Sequence, residues 1–199
     1  MGFEIVVIAL LILSVVTVWK GVRIVPQGEE WIVERLGKFN KTLTPGLTII
    51  VPYIDKVAYK VVTKDIILDV PEQEVITKDN AVIITNAIAF IKVTDPIKAV
   101  YGIVDFSEAI RNLVQTTLRS ITGEMELDQA LSSREKIKLR LKESISDEAI
   151  DWGLTIKSVE IQDIKPSESM VKSMELQAAA ERERKAVVTR AEGAKQAMI

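Results

Sequence analysis

AVIITNAIAFIKVTDP, residues 81–96, contains the point at which the apolar spacing of the sequence changes. Residues 81–94 are rich in Val, Ile and Thr, which predicts a strand. Alternation along this strand is imperfect, so we expect it to be buried on both faces. Beyond Asp95 and Pro96 the apolar residues recur at steps of three and four, as in a helix. The change predicts an α+β body in which strands come first and helices follow.

The sequence before this stretch, from residue 22 onward, is typical of short strands separated by Pro and Gly. Asp79 and Asn80 lie between two strand-like segments, which predicts a hairpin turn there. The other predicted strands are EEWIVERL (29–36), LTIIV (47–51), AYKVVT (58–63) and DIILDV (65–70).

The sequence after this stretch predicts two helices and one returning strand. The first helix covers residues 106–124, and Gly123 marks its end. The second is expected to begin at Ser132 or Ser133 and to end at Gly153. Its apolar residues, spaced by four, are Ile137, Leu141, Ile145 and Ala149. Residues 154–164 then alternate with one slip, which predicts a strand with a bulge.

The last segment, residues 167–199, predicts one long helix that is polar nearly all round. Such a helix projects into solvent or packs beside copies of itself, and it would reach roughly 50 Å. The segment lacks a stop signal, so we expect the sequence to be a fragment that ends inside a helix. Charged residues toward its end are interpreted as contacts between parallel helices of neighbouring subunits. They are Glu181, Arg182, Arg184, Lys185, Arg190, Glu192 and Lys195.

The first segment contains an uncharged apolar run over residues 5–19. We expect it to enter a membrane, either as a full span or as a shallow monotopic insertion. A buried core helix is the alternative interpretation. Lys20 and Arg23 follow the run, so the positive-inside rule places the body on the cytoplasmic side of a cell membrane. The expected anchor residues are Ile5, Ile8, Leu10, Leu11, Leu13, Val16 and Trp19.

The amino-acid composition excludes several classes of function. The 199 residues contain 26 Lys and Arg against 28 Asp and Glu, and neither Cys nor His. A dedicated nucleic-acid binder would show a basic excess, so no nucleic-acid partner is expected. Without His or Cys, the usual triads and the His- or Cys-ligated metal sites are excluded. Any enzyme would have to use carboxylates, Lys, Ser or Tyr, so composition argues against enzyme activity, and no cofactor is expected.

Three further patterns each allow more than one interpretation. LTPGLTIIVPYI (43–54) is apolar enough to touch lipid through Leu47, Ile49, Ile50 and Tyr53, although an ordinary core strand would have the same pattern. A basic run is interpreted as a solvated face, with contact to a neighbouring subunit or to anionic lipid as the alternatives. Asp69, Glu72 and Glu74 are interpreted as plain surface rather than as a metal site. The basic run comprises Arg134, Lys136, Lys138, Arg140 and Lys142.

Taken together, several segments resemble the stomatin-type members of the SPFH (band 7, prohibitin-homology) superfamily, nearest the paraslipin branch. Their number, order and spacing carry the resemblance, which covers the chain after about Val22. They are IVPQGEEWIVERLGKF (24–39), LTPGL (43–47), VPYIDKV (51–57), LDVPEQEVITKDN (68–80), VTDPIKAVYG (93–102), LVQTTLRSITGEMELDQALSSRE (113–135), WGLTIKSVEIQDIKP (152–166) and AAAERERKAVVTRAEGAKQA (178–197).

The resemblance implies an architecture: an anchor over 1–21, a mostly β, membrane-proximal subdomain over 22–95, a second α/β subdomain over 96–165, and the start of a coiled-coil helix over 166–199. It also implies a non-catalytic membrane scaffold that assembles into a large ring or cage and organises a membrane microdomain. Its expected partners are copies of itself, the bilayer, and a membrane protease or an NfeD-type membrane protein. The alternative is a small-oligomer adaptor that regulates one membrane protease or channel.

Overall fold

The computed structural model describes the backbone of residues 11, 14 and 16–197, and the side chains of all of these except 192 and 194–197. Residues 16–21 are helical and lead directly into the first strand. Among the described residues, no helix is both long enough and apolar enough to cross a membrane. The expected anchor lies mostly outside the described residues, including its members Ile5, Ile8, Leu10 and Leu13.

The first half of the body contains a two-stranded ribbon and a three-stranded sheet, both antiparallel. In the ribbon, β1 (Val22–Val25) pairs with β4 (Gly46–Ile49). In the sheet, β2 (Glu29–Arg35) lies between β3 (Lys38–Leu43) and β5 (Asp55–Val62). A small core joins the ribbon to the sheet and consists of Val25, Val33, Leu43 and Ile50.

A second antiparallel sheet has the order β6-β7-β8, formed by β6 (Asp65–Ile76), β7 (Val82–Val93) and β8 (Leu154–Pro166). β7 is the central strand; it lies within residues 81–96 and ends just before the point at which the sequence period changes. Alternate residues of β7 are fully buried, and the residues between them are only half-buried. The expectation that β7 is buried on both faces is therefore corrected, because only one of its two faces is fully buried.

Five helices complete the described fold: α1 (Pro96–Tyr101), α2 (Phe106–Gly123), α3 (Leu127–Ser132), α4 (Arg134–Asp151) and α5 (Glu168–Ala197). The carboxylates of Asp95 and Asp105 accept backbone N–H bonds at the starts of α1 and α2. α2 and α4 pack side by side, α2 against β6 and α4 against β8. Ile110, Val114 and Leu118 of α2 are fully buried in the main core.

Gly153 permits the tight turn between α4 and β8. Its φ is +72°, a conformation that glycine adopts without strain. A Cβ atom there would lie 2.4 Å from the backbone oxygen of Asp95. Gly153 also accepts backbone bonds from the N–H groups of Thr94 and Asp95, both at 2.9 Å. The turn thus fixes α1 against the start of β8.

The second sheet contains strands from both predicted subdomains. β6 and β7 were expected in the first subdomain, 22–95, but β7 pairs along its length with β8. The pairing changes between β5 and β6, at residues 63–64. A strand from the second predicted subdomain therefore completes the sheet that β6 and β7 begin, and the boundary between subdomains stays a prediction.

Candidate membrane-facing surface and projecting helix

The ribbon of β1 and β4 has two chemically different faces. Val25 points into the small core and is 2% exposed. On the opposite face, Ile24 pairs with Leu47, and Val22 pairs with Ile49. Ile24, Leu47 and Ile49 are 71%, 69% and 63% exposed. We call these four residues the apolar ribbon face; it is a contiguous apolar surface on a strand pair that has its own buried side.

The loop after β4 is held by a buried carboxylate. Asp55 accepts hydrogen bonds from Arg35 Nε at 2.7 Å and Arg35 Nη2 at 3.2 Å. Its second oxygen also accepts from the backbone N–H of Val51 at 3.0 Å. These bonds, the Arg35 guanidinium first, hold the pKa of Asp55 below its ordinary value. The loop is thereby closed on itself and turns Val51, Tyr53 and Ile54 outward, where each remains exposed.

Tyr53 continues the apolar ribbon face at the tip of this loop. It is 73% exposed and has a φ of +72°. The ammonium of Lys20 lies 5.5 Å from the centre of its ring, within the range of a cation–π contact. Trp19, 83% exposed, precedes Lys20 at the end of the N-terminal helical segment. Aromatic and basic residues therefore border the apolar ribbon face on the side that leads to the N-terminus.

The junction between the N-terminal helical segment and the ribbon is closely packed. Ile50 donates its backbone N–H to the oxygen of Gly21 at 2.8 Å. A Cβ atom on Gly21 would lie 2.7 Å from the oxygen of Ile50. Ile50 itself is 4% exposed and belongs to the small core, so its expected lipid contact is corrected. Leu47, Ile49 and Tyr53 are exposed as that prediction requires, and their contact with lipid stays a prediction.

The two halves of the body meet at an aromatic cluster. Tyr101, at the end of α1, donates its hydroxyl to Glu34 Oε1 at 2.8 Å. Its ring makes edge contacts with Phe39 and Tyr59, with ring centres 6.2 and 6.0 Å apart. Burial, followed by the hydrogen bond to Glu34, raises the pKa of Tyr101 to about 12. Tyr101 therefore connects the second sheet region to β2, β3 and β5.

The long helix α5 begins on the body and then leaves it. Met170 and Met174 pack against the main core. A groove of about 450 Å³ lies between the start of α5, the β6–β7 turn and α3. Asp79 stabilises that turn region by accepting the backbone N–H of Leu127 at 3.2 Å. From Leu176 to Ala191 the side chains of α5 are exposed, except that Glu181 is half-buried.

The predicted assembly residues lie on this projecting part. Arg182, Arg184, Lys185 and Arg190 are exposed. Arg184 Nη2 lies 2.9 Å from Glu181 Oε1, so Glu181 pairs within its own helix, one turn along. The side chains of Glu192 and Lys195 lie outside the described part. With 30 residues, α5 measures about 45 Å.

The basic run on α4 is divided between internal pairs and open surface. Lys138 Nζ lies 2.9 Å from Glu160 Oε2, and Arg140 Nη2 lies 3.5 Å from Glu124 Oε2. The bond to Glu160 raises the pKa of Lys138, while burial opposes it. All three interpretations of the run, a solvated face, a contact with a neighbouring subunit and a contact with anionic lipid, stay open for the residues that are exposed.

The acidic residues Asp69, Glu72 and Glu74 do not form a metal site in the described structure. Glu72 Oε1 lies 3.3 Å from Lys165 Nζ across the second sheet. Within the described residues, no group of three or more potential ligands lies close enough to hold a metal ion.

Sequence reasoning missed the residues that position this surface. Arg35 and Asp55 are 20 positions apart, and only the pairing of β2 with β5 brings them together. The one available signal was a carboxylate inside an apolar segment, VPYID, where an unpaired charge would be costly. The role of Tyr101 could not be predicted either, because it lies on a helix and its partners Glu34, Phe39 and Tyr59 come from three different strands.

Comparison of this chain with known proteins establishes its class. The profile of the SPFH domain / Band 7 family matches residues 23–195. The chain belongs to this family, which confirms the resemblance that the sequence motifs had indicated. The mixed α+β body described above is thus an SPFH domain.

Relatives are found in archaea and in eukaryotes. The chain is 45% identical over 196 residues to an uncharacterized protein of Methanothermobacter thermautotrophicus, covering 98% of this chain and 60% of that protein. It is 42% identical over 192 residues to one of Archaeoglobus fulgidus, covering 96% and 77%. It is 37% identical over 175 residues to the human mitochondrial stomatin-like protein 2, covering 88% and 49%. The chain thus spans about half to three quarters of the length of these relatives.

Proposed function

We propose that this protein is a non-catalytic membrane scaffold that assembles laterally into a large ring or cage. In this proposal the N-terminal segment enters the plasma membrane and the body lies against the cytoplasmic surface. The apolar ribbon face carries the proposal. It lies directly after the N-terminal helical segment and exposes Ile24, Leu47 and Ile49 on a strand pair whose other side is buried.

Membrane contact accounts for features that a free surface would not favour. An exposed apolar surface on a soluble body invites aggregation, whereas lipid would cover it. Trp19 and Tyr53 have the amphipathic rings that favour the boundary between lipid and water. Lys20 lies beside Tyr53, with its ammonium 5.5 Å from the ring centre, where its charge would meet anionic headgroups. A close contact between Gly21 and Ile50 would hold the segment and the ribbon face in a fixed relation.

In addition to attachment to the membrane, contacts between α5 helices would hold the assembly together. A helix that is exposed for most of 30 residues contributes little to the stability of its own body. Parallel packing of such helices between neighbours would bury Val187 and Val188, which are 57% and 50% exposed. The charged residues around them, Arg182 to Arg190, would set register more than affinity. Weak contacts repeated around a closed ring add up to a stable assembly.

A second candidate is an adaptor that acts as a small oligomer on one membrane protease, channel or NfeD-type protein. The groove between α3 and α5 favours keeping it, because it combines the apolar side chains of Met170 and Met174 with the carboxylate of Asp128. An adaptor needs such a specific surface, whereas a ring needs closure.

Deletion of residues 167–199 tests the scaffold. The deleted chain keeps the residues of both cores and loses only the contacts of Met170 and Met174, so we expect the body to fold and to reach the membrane. Without α5, we expect it no longer to form the large particle. The control is a chain in which Met170 and Met174 are both changed to Ala while α5 is kept. Recovery of the same large particle from the deleted chain would refute the role of α5. A single stoichiometric partner in a small complex would favour the adaptor.

A further inference from the structure

Helix α4 carries its charges in two blocks. The first half contains five basic residues with one acidic residue, Glu135, among them, and the second half contains only acidic charges. The basic residues are Arg134, Lys136, Lys138, Arg140 and Lys142, and the acidic ones of the second half are Glu143, Asp147, Glu148 and Asp151. The predicted basic run is therefore only half of the pattern.

This order of charges works against the helix itself. The N-terminus of a helix carries partial positive charge and its C-terminus partial negative charge, so basic-first and acidic-last is the unfavourable direction. Charges four residues apart also have the same sign, as in Lys136 with Arg140 and Glu143 with Asp147. A helix that needed only solubility would be more stable with the two blocks exchanged. The pattern is explained if a partner compensates both halves.

Both blocks reach the same exposed face. The buried stripe of α4 is Ile137, Leu141, Ile145 and Ala149. At about 100° per residue, the side opposite this stripe carries Lys136, Leu139, Arg140, Glu143 and Asp147. All five are at least partly exposed, and Leu139 is 59% exposed. Within the described part of the chain, Lys136, Glu143 and Asp147 have no ion pair, and Arg140 reaches only Glu124, at 3.5 Å.

The geometry points to a second copy of this chain as the partner of this face, with the two α4 helices packed antiparallel about a two-fold axis. If the axis passes at the level between Leu141 and Lys142, Lys136 of one copy lies opposite Asp147 of the other. Arg140 then lies opposite Glu143, and each contact occurs twice by symmetry. Leu139 of each copy lies beside the axis, where the second copy covers its exposed surface. The basic half of each helix is thus matched by the acidic half of its partner.

A two-fold contact follows from where the blocks lie. A head-to-tail contact needs two different surfaces that face away from each other. Lys136 and Asp147 instead project from one face, within a few tens of degrees of each other around the helix. A self-complementary face closes as a pair. The inference goes beyond the proposed scaffold, because this pairing does not depend on closure of a ring or on α5.

Cysteine cross-linking tests the register directly, since the 199-residue sequence contains no Cys. The full chain with Lys136→Cys and Asp147→Cys is expressed, and membranes of the expressing cell are oxidised. We expect one covalent dimer, because both disulfides join the same two copies. A ladder of trimers and larger species would overturn the two-fold contact, and so would the absence of any cross-link. Lys64→Cys with Lys157→Cys, both exposed elsewhere, is the matched control.

Charge reversal tests the chemistry independently of cysteine geometry. The variant Lys136→Glu/Arg140→Glu and the variant Glu143→Lys/Asp147→Lys each place like charges opposite one another. We expect each to weaken pairing of the full chain in detergent on the order of 100-fold, measured by analytical ultracentrifugation. The chain with all four substitutions restores opposite charges at every position and should pair again. The two double variants, once mixed, should pair with each other.

Two controls distinguish a two-fold α4 contact from a general effect of net charge and from lipid binding. Lys64→Glu/Lys157→Glu changes net charge equally and should leave pairing unchanged. If the chain with all four substitutions fails to pair although circular dichroism shows that it is folded, the inference is overturned. If Lys136→Glu/Arg140→Glu lowers binding to vesicles of anionic lipid and leaves pairing intact, the face belongs to lipid and the inference is also overturned. Large particles without the 136–147 cross-link would leave the scaffold standing and refute only the α4 pair.

Discussion

Replacing Leu47 and Ile49 by Ser should release the body from a lipid surface. Fully burying one Leu or Ile side chain contributes about 1.5–3 kcal/mol. Leu47 is 69% exposed and Ile49 is 63% exposed, so scaling by these fractions gives about 2–4 kcal/mol for the pair. That free energy corresponds to a loss of membrane affinity of roughly 30- to 700-fold. Neither residue is in a core, so the substitutions should leave the fold intact.

The assay is a vesicle sedimentation titration with a chain that begins at Lys20. This chain lacks the apolar segment, whose insertion would mask the contribution of the ribbon face, and retains every residue of both cores. The matched control is Ile67→Ser/Ile76→Ser, since these residues are 63% and 62% exposed on the second sheet. An equal loss of affinity in both variants, or no loss in the first, would refute a membrane-facing ribbon.

Three further predictions concern how this surface is held. Gly21→Ala should change the direction of the N-terminal segment, because the new Cβ would lie 2.7 Å from the backbone oxygen of Ile50. The distance between one spin label on the segment and another on the ribbon should change. An unchanged distance would contradict this prediction. The pKa of Asp55 is lowered in the folded state, so its stabilising contribution is present at pH values above its ordinary pKa of about 3.9 and is lost as the pH falls through its folded pKa. Arg35→Ala should therefore raise the midpoint pH of acid unfolding. An unshifted midpoint would argue against the pair. The pKa of Tyr101 is raised, so its stabilising contribution is fully present at pH values below its ordinary pKa of about 10 and is lost as the pH rises through about 12. An ultraviolet titration should show one tyrosine ionising near that pH, and Tyr101→Phe should remove this step. The same variant should lower the free energy of unfolding in urea by about 0.5–1.5 kcal/mol.

Much of the fold was predictable because its signals are local. The apolar stripe of α4, Ile137 to Ala149 at steps of four, needs only the helical period, and all four residues are buried. The strand–turn–strand around Asp79 and Asn80 depends on turn chemistry, and Asn80 has the positive φ of 63° that such turns require. The projecting character of α5 follows from composition alone.

The parts that could not be predicted depend on long-range pairing. Nothing within residues 81–94 shows that β7 pairs with β8, some 70 positions later. The short helices α1 and α3 have only six residues each, too few for a period to emerge. Ile50 was grouped with Leu47 and Ile49 because all three are apolar. Its burial follows from the return of the chain at Asp55 and from the close contact with Gly21.

The proposed membrane-facing surface divides in the same way. Leu47, Ile49 and Tyr53 were predicted to contact lipid because they lie in an apolar segment between two prolines, and all three are exposed. The ion pair of Arg35 and Asp55, which orients them, could not be predicted, because only the pairing of β2 with β5 brings the two charges together. Contacts between subunits cannot be derived from one chain, so the roles of the α5 charges and of the α4 face rest on deletion, cross-linking and charge reversal.

Particle size and symmetry test the central claim most directly. The 199-residue chain is extracted from its membrane in mild detergent and imaged by electron microscopy, with the deletion of residues 167–199 beside it. Closed rings or cages of one symmetry, absent from the deleted chain, are the predicted result. Monomers or dimers alone from the 199-residue chain would contradict the scaffold.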